Sequence, residues 1–147
     1  MAMQRATIGT VVVIAVMGLM VSALGALVAT RTISNSGSVT AVGVGVYSDS
    51  GCTTALTAIS WGTVNPGDVK TYTAYVKNTG NVPVKLNMTV SNWNPSSASS
   101  YITLTWNQEK STLTATQVVS AVLTLSVSSS VSGVTSFSFD ITITGTQ

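Results

Sequence analysis

WGTVNPGDVKTYTAYVKNTGNVPVKLNMTVS, residues 61–91, decides the fold of this chain. Asn65-Pro66-Gly67-Asp68 reads as a β-turn, because Pro presets φ near the value a turn needs and Gly accepts a positive one. Val69–Asn78 then alternates, with Tyr72, Ala74 and Val76 on one face. A second turn, Asn78-Thr79-Gly80-Asn81, leads into Val84–Ser91. There Val84, Leu86, Met88 and Val90 face one way and Lys85, Asn87, Thr89 and Ser91 the other. A period of two puts alternate residues on opposite faces of a strand, so the stretch predicts two half-buried β-strands.

Working outward, the pattern repeats. Downstream lie Tyr101–Trp106 with Ile102, Leu104 and Trp106, then Val118–Ser128 with Val119, Ala121, Leu123, Leu125 and Val127. Val134–Thr144 follows with Phe137, Phe139, Ile141 and Ile143. Upstream, Ala58–Val64 is a short strand around Trp61. Ser38–Tyr47 alternates Val42, Val44 and Val46 with Gly43 and Gly45, glycines that suggest close approach by another strand or subunit. Seven strands with turn signals every 8–12 residues predict an immunoglobulin-type β-sandwich.

The other informative stretch is Ala6–Thr30, twenty-five residues without a charge between Arg5 and Arg31. As a helix it would be about 37 Å long, enough to cross a bilayer core of about 30 Å. Gly18, Ser22 and Ala26 recur every fourth residue, and Gly25 and Ala29 repeat the spacing beside them, a pattern that lets helix backbones approach closely. The expected fold is therefore an N-terminal hydrophobic α-helix followed by an all-β immunoglobulin-like sandwich of about seven strands. The expected division is a leader at 1–6, the helix at 7–31, a hinge at 32–38 and the sandwich at 39–147.

Arg5-Ala6 before Thr7-Ile8 resembles the cleavage site of archaeal type IV prepilins, which implies leader removal at Arg5, Ala6 and Thr7 with the apolar segment kept. Ala26 and Ala29 also stand at signal-peptidase spacing, so cleavage near Ala29 is the alternative. The run from Trp61 to Leu86, with its Pro-Gly turn and Val76-x-Asn78-x-Gly80-Asn81-x-Pro83, resembles Ig-like surface modules of secreted archaeal and bacterial proteins. These resemblances imply an extracellular location and a structural or adhesive role.

Composition narrows the chemistry. Charged residues are 7% of the chain, against about 25% in ordinary soluble domains. The net charge of +2 gives no argument for nucleic acid. There is no histidine, the commonest general base and metal ligand. The four acids, Asp49, Asp68, Glu109 and Asp140, are dispersed, and Asp140 reads as a solvated strand residue. No catalytic residue, metal site, cofactor or small-molecule substrate is expected. The single cysteine, Cys52, reads as a small buried hydrophobe. Trp61, Trp93 and Trp106 fit either a sugar-binding surface or a sandwich core. Asn87-Met88-Thr89 is an N-glycosylation acceptor whose Asn87 faces outward on the alternation.

The favoured expectation is a structural subunit of an extracellular, type IV pilus-like filament, not an enzyme. It would be a homopolymer, inserted in the membrane before assembly, with helices packed in the core and glycosylated β domains outside, serving adhesion. Two alternatives stand beside it. One is a subunit of a strand-exchanged, TasA-like matrix fibre whose free N-terminal strand (33–46) completes the next copy's sheet. The other is a membrane-anchored monomeric surface module.

Overall fold

A computed structural model describes residues 34–147. Nine strands are present among them: β1 (Ser34–Val42), β2 (Gly45–Tyr47), β3 (Ala58–Ile59), β4 (Val69–Lys77), β5 (Val84–Asn94), β6 (Ile102–Trp106), β7 (Thr112–Leu113), β8 (Val118–Val127) and β9 (Ser136–Thr146). They form a five-stranded sheet in the order β3-β1-β9-β5-β7 and a four-stranded sheet in the order β2-β4-β8-β6.

This corrects the expected fold class of an apolar α-helix joined to a seven-stranded immunoglobulin-like sandwich. The described residues are all-β. Their only helical element is a five-residue 3-10 turn, Ser96–Ser100. None of their helices is long and apolar enough to cross a membrane. The segment on which the helix was read, residues 6–30, lies outside the described residues, as does the small-residue pattern Gly18, Ser22, Gly25, Ala26 and Ala29. Residues 34–38, read as part of a hinge, belong to β1.

The alternation seen in the sequence builds the core. From β4 come Ala74 and Val76, from β8 Ala121, Leu123 and Leu125, and from β9 Phe137, Phe139, Ile141 and Ile143, all buried between the sheets. β4 and β8 pair antiparallel from Val69↔Ser126 to Lys77↔Val118. β5 and β9 pair antiparallel from Lys85↔Thr146, with a register shift between Ser91 and Asn94. At that bulge Asn92 takes a left-handed φ of 53°, which restores the inward aim of Trp93.

Gly43 is where the chain leaves one sheet for the other. β1 ends at Val42, and after Gly43 (φ 72°) the chain enters β2, with Val44 and Val46 buried. A Cβ on Gly43 would stand 2.5 Å from the Gly145 carbonyl oxygen, so no side chain fits. At Gly45 the missing side chain makes room for the Tyr47 ring of the same strand, whose hydroxyl would lie 2.5 Å from a Cβ. The close approaches signalled by these glycines are therefore met within the chain.

Asn78 is the one buried polar residue in the described core. Its Nδ2 donates to the carbonyls of Val82 (2.7 Å), Leu113 (3.1 Å) and Thr114 (3.2 Å), and its Oδ1 accepts from Gly80 N (2.9 Å). Two amide hydrogens shared among three carbonyls fasten the 78–82 turn to the end of β7 and the residue after it.

Two substitutions test these points. Asn78→Ala orphans buried carbonyls and should cost about 2–4 kcal/mol of unfolding free energy by urea denaturation. Gly43→Ala combines a left-handed φ with a backbone clash and should cost about 3 kcal/mol in the same assay.

Candidate functional site

The feature that sequence reasoning missed is the neighbour of β9. β9 stands in the middle of the five-stranded sheet, with β5 antiparallel on one edge. The other edge is filled by β1, which runs parallel to β9 in nine register pairs from Ser34↔Ser136 to Val42↔Thr144.

β1 is held by backbone and polar side chains far more than by apolar burial. Its inward residues include Asn35, Gly37 and Val39. Gly37 is buried because the Phe139 ring and Ile141 lie over it, 3.4 and 3.5 Å from where a Cβ would stand. Val39 is only partly buried against the core, and Ala41 is exposed. On the far edge, β3 contributes two pairs, Gly37↔Ile59 and Ser38↔Ala58. The Asn35 amide extends that edge: Oδ1 accepts from Trp61 N (2.9 Å) and Nδ2 donates to Gly62 O (3.1 Å).

Asp140 ties three strands together on the outer face. It accepts from Asn92 Nδ2 on β5 (2.7 Å) and from Ser38 Oγ on β1. These two bonds, Asn92 first, hold its carboxyl below the ordinary value of 3.8. Where the sequence suggested a merely solvated residue, the fold has a clasp. Its signal was present as an acid flanked by serines and threonines, but its partners lie 102 and 48 residues away.

Two open clefts flank this region. One, of about 350 Å³, lies at the start of β1 and β9 and is lined by Asn35, Asn94, Pro95 and Phe137 among others. The other, of about 280 Å³, lies between the β5 and β6 edges and is lined by Met88, Leu104, Thr105, Trp106 and Glu109. Glu109 Oε2 accepts from Trp106 Nε1 (2.7 Å) and from Met88 N (3.2 Å), so a carboxylate covers part of the open β5 edge.

The remaining sequence candidates fall as follows. Arg5, Ala6 and Thr7 lie outside the described residues. Asn87 is exposed on the outer face of β5. The three tryptophans are not brought together. Trp61 is buried edge-on to Tyr72 (ring centroids 6.4 Å), and its Nε1 has no partner. Trp93 packs on Phe139 (4.5 Å), and Trp106 is engaged by Glu109. Cys52 is half-buried, in a turn with a left-handed φ of 54°, where the sequence suggested a core position. That turn is closed by Asp49, whose carboxylate accepts from Thr54 N (2.7 Å), Thr53 N (3.1 Å) and Thr53 Oγ1 (2.8 Å). No group of three His, Cys, Asp or Glu side chains that could hold a metal occurs among the described residues.

Compared with family models and with curated proteins, the chain matches none of either.

The carboxylates set an acid limit on the fold. Asp49 and Asp140 both have folded-state pKa values lowered from 3.8, Asp49 through the Thr54 and Thr53 backbone bonds and Asp140 through Asn92 and Ser38. A lowered folded pKa means the stabilisation is complete above 3.8 and fades as pH falls through the folded values. The melting temperature should therefore hold steady from neutral pH to about 4 and drop below it. Asp49→Asn/Asp140→Asn should melt lower at pH 7 and show a shallower acid slope by circular dichroism.

Proposed function

We propose that this chain is a structural subunit of an extracellular filament, a homopolymer in which β1 of one copy takes the place beside β9 of the next. The observation that carries this reading is β1 itself: the first described strand fills the edge of β9 opposite β5, in parallel, over nine register pairs.

Three properties of β1 support exchange. Its sequence, SNSGSVTAV, is small and polar on both faces, the kind of strand whose register is weakly specified and which swaps between copies. Its side chains contribute little to the core, so the nine-pair ladder to β9 is its main attachment, and another copy's β1 supplies the same ladder. It is followed by Gly43, whose left-handed φ already marks a change of direction and of sheet. Since the exchanged and closed forms share their contacts, local concentration decides between them. A head-to-tail exchange whose rotation does not close into a ring propagates as a fibre.

The rest of the chain suits that role. The uncharged stretch 6–30 keeps the subunit at the membrane before assembly. The four-stranded sheet turns apolar side chains outward, with Val69 62% and Val118 39% exposed, and Tyr47, Tyr75 and Val122 between them half-exposed. Lys77, the register partner of Val118, borders this patch, and neighbouring copies gain apolar contact area beside it.

The test uses Ser36 and Ser138, which are register partners across β1 and β9. Ser36→Cys/Ser138→Cys on a Cys52→Ser background is assembled and then oxidised, and run without reductant. Exchange predicts a ladder of covalent multimers. Complete loss of free thiol in a single monomer band means each β1 stays at home and sinks the proposal.

A further inference from the structure

We propose that Asn87 carries an N-linked glycan on the outer face of the five-stranded sheet. The inference rests on the extracellular reading above, because the donor sugar is presented on the far side of the membrane.

Three observations converge on this side chain. First, Asn87-Met88-Thr89 lies in extended β5, so Asn87 and Thr89 project from the same face about 6.6 Å apart along the strand. Both are exposed. Second, the surroundings are low. The residue opposite Asn87 is Thr144, and opposite Thr89 is Thr142. On the other flank β7 pairs with Val84 and Lys85, and the 109–111 segment meets the strand through Lys110 N, which donates to Leu86 O, and Glu109 Oε2, which accepts from Met88 N. Across β9 a sugar on Asn87 Nδ2 meets the hydroxyls of Thr144 and Thr142.

Third, the amide is unspent. Asn35, Asn65, Asn78 and Asn92 each donate their Nδ2 to another group of the fold, and Asn107 Oδ1 accepts from Val122 N. The Asn87 side chain makes no such bond; its contribution is its backbone carbonyl, which accepts from Thr144 Oγ1 (3.4 Å). Nothing in the fold is lost when Nδ2 is substituted.

The donor is an oligosaccharide linked through phosphate or pyrophosphate to a membrane polyprenol. Asn87 Nδ2 attacks C1 of the first sugar. The N–C1 bond forms as the C1–O bond to phosphate breaks, the polyprenyl phosphate (or pyrophosphate, for a pyrophosphate-linked donor) departs with the bonding pair, and the amide proton passes to a base of the membrane transferase. No oxidant or reductant is needed. The glycan would lie over Thr89, Thr142 and Thr144, while the β1 place is on the opposite edge of β9 from β5, so modification and strand exchange are compatible.

The experiment is mass spectrometry of the tryptic peptide 86–110, from the full chain expressed in its native cell and collected separately from the cell exterior and interior. The expected result is hexose-containing mass on that peptide outside the cell, kept in Thr89→Ser and lost in both Asn87→Gln and Thr89→Ala. Asn87→Gln should melt at the temperature of the enzymatically deglycosylated protein, since its amide holds nothing. A chain found outside and bare at Asn87 overturns the glycan alone. A chain found only inside and bare overturns the glycan together with the extracellular reading. Added mass that survives both Asn87→Gln and Thr89→Ala places the sugar on a hydroxyl and also overturns it.

Discussion

The backbone of β9 is the constraint from which the rest of the fold follows. Its inward side chains, Phe137, Phe139, Ile141 and Ile143, are at most 3% exposed and stand at the centre of the five-stranded sheet. A strand so deeply seated cannot leave one row of N–H and C=O groups unpaired without losing about 1–3 kcal/mol for each buried group. β5 satisfies one edge. The other edge needs a strand, and the chain meets that need with a segment poor in apolar side chains. Burial energy thus comes from β9 and its antiparallel partners, while β1 is recruited chiefly for its backbone.

That division of labour explains what could be read from the sequence. β4, β5, β8 and β9 were legible because each buries one face, and the period-two pattern records that burial residue by residue. Their ends shift by a few positions at most: β9 spans Ser136–Thr146 where alternation suggested 134–144, and β5 continues past its bulge to Asn94. β1 was illegible at its start for the converse reason. Asn35, Gly37 and Ser38 look like a linker by composition, because hydroxyls, amides and glycine mark loops as readily as a strand held by its backbone. β3 stops at Ile59, short of the strand expected over 58–64 around Trp61, and β7, two residues long, carries no periodicity. The candidate sites divide likewise. Outward Asn87 followed from alternation alone, whereas the Asp140 clasp depends on pairing between distant strands.

The scarcity of charge also takes on a structural meaning. All four acids in the sequence are used as short-range clasps. Asp49 closes the 49–54 turn, and Asp68 accepts from Asn65 N (2.8 Å) across the Pro-Gly turn. Glu109 links Trp106 to the β5 edge, and Asp140 joins β1 to β5 across β9. Each carboxylate receives donors from its own neighbourhood. Each carboxylate keeps its charge, but the four stand in separate clasps, and no three His, Cys, Asp or Glu side chains gather to hold a cation among the described residues.

A surface of this kind changes the energetics of packing against a copy. Bringing an exposed Lys or Glu into an interface requires desolvating an ion, which costs several kcal/mol unless a partner is supplied. Hydroxyls cost less and can exchange water for one another. Outward rows such as Thr71–Thr124–Thr105 on the four-stranded sheet, with Val122 beside them, are therefore open to close approach in many registers. Such a surface is sticky but unspecific. In the proposed exchange, direction comes from the parallel ladder beside β9, and register, which the small side chains of β1 specify weakly, comes from polar contacts such as Ser38 with Asp140.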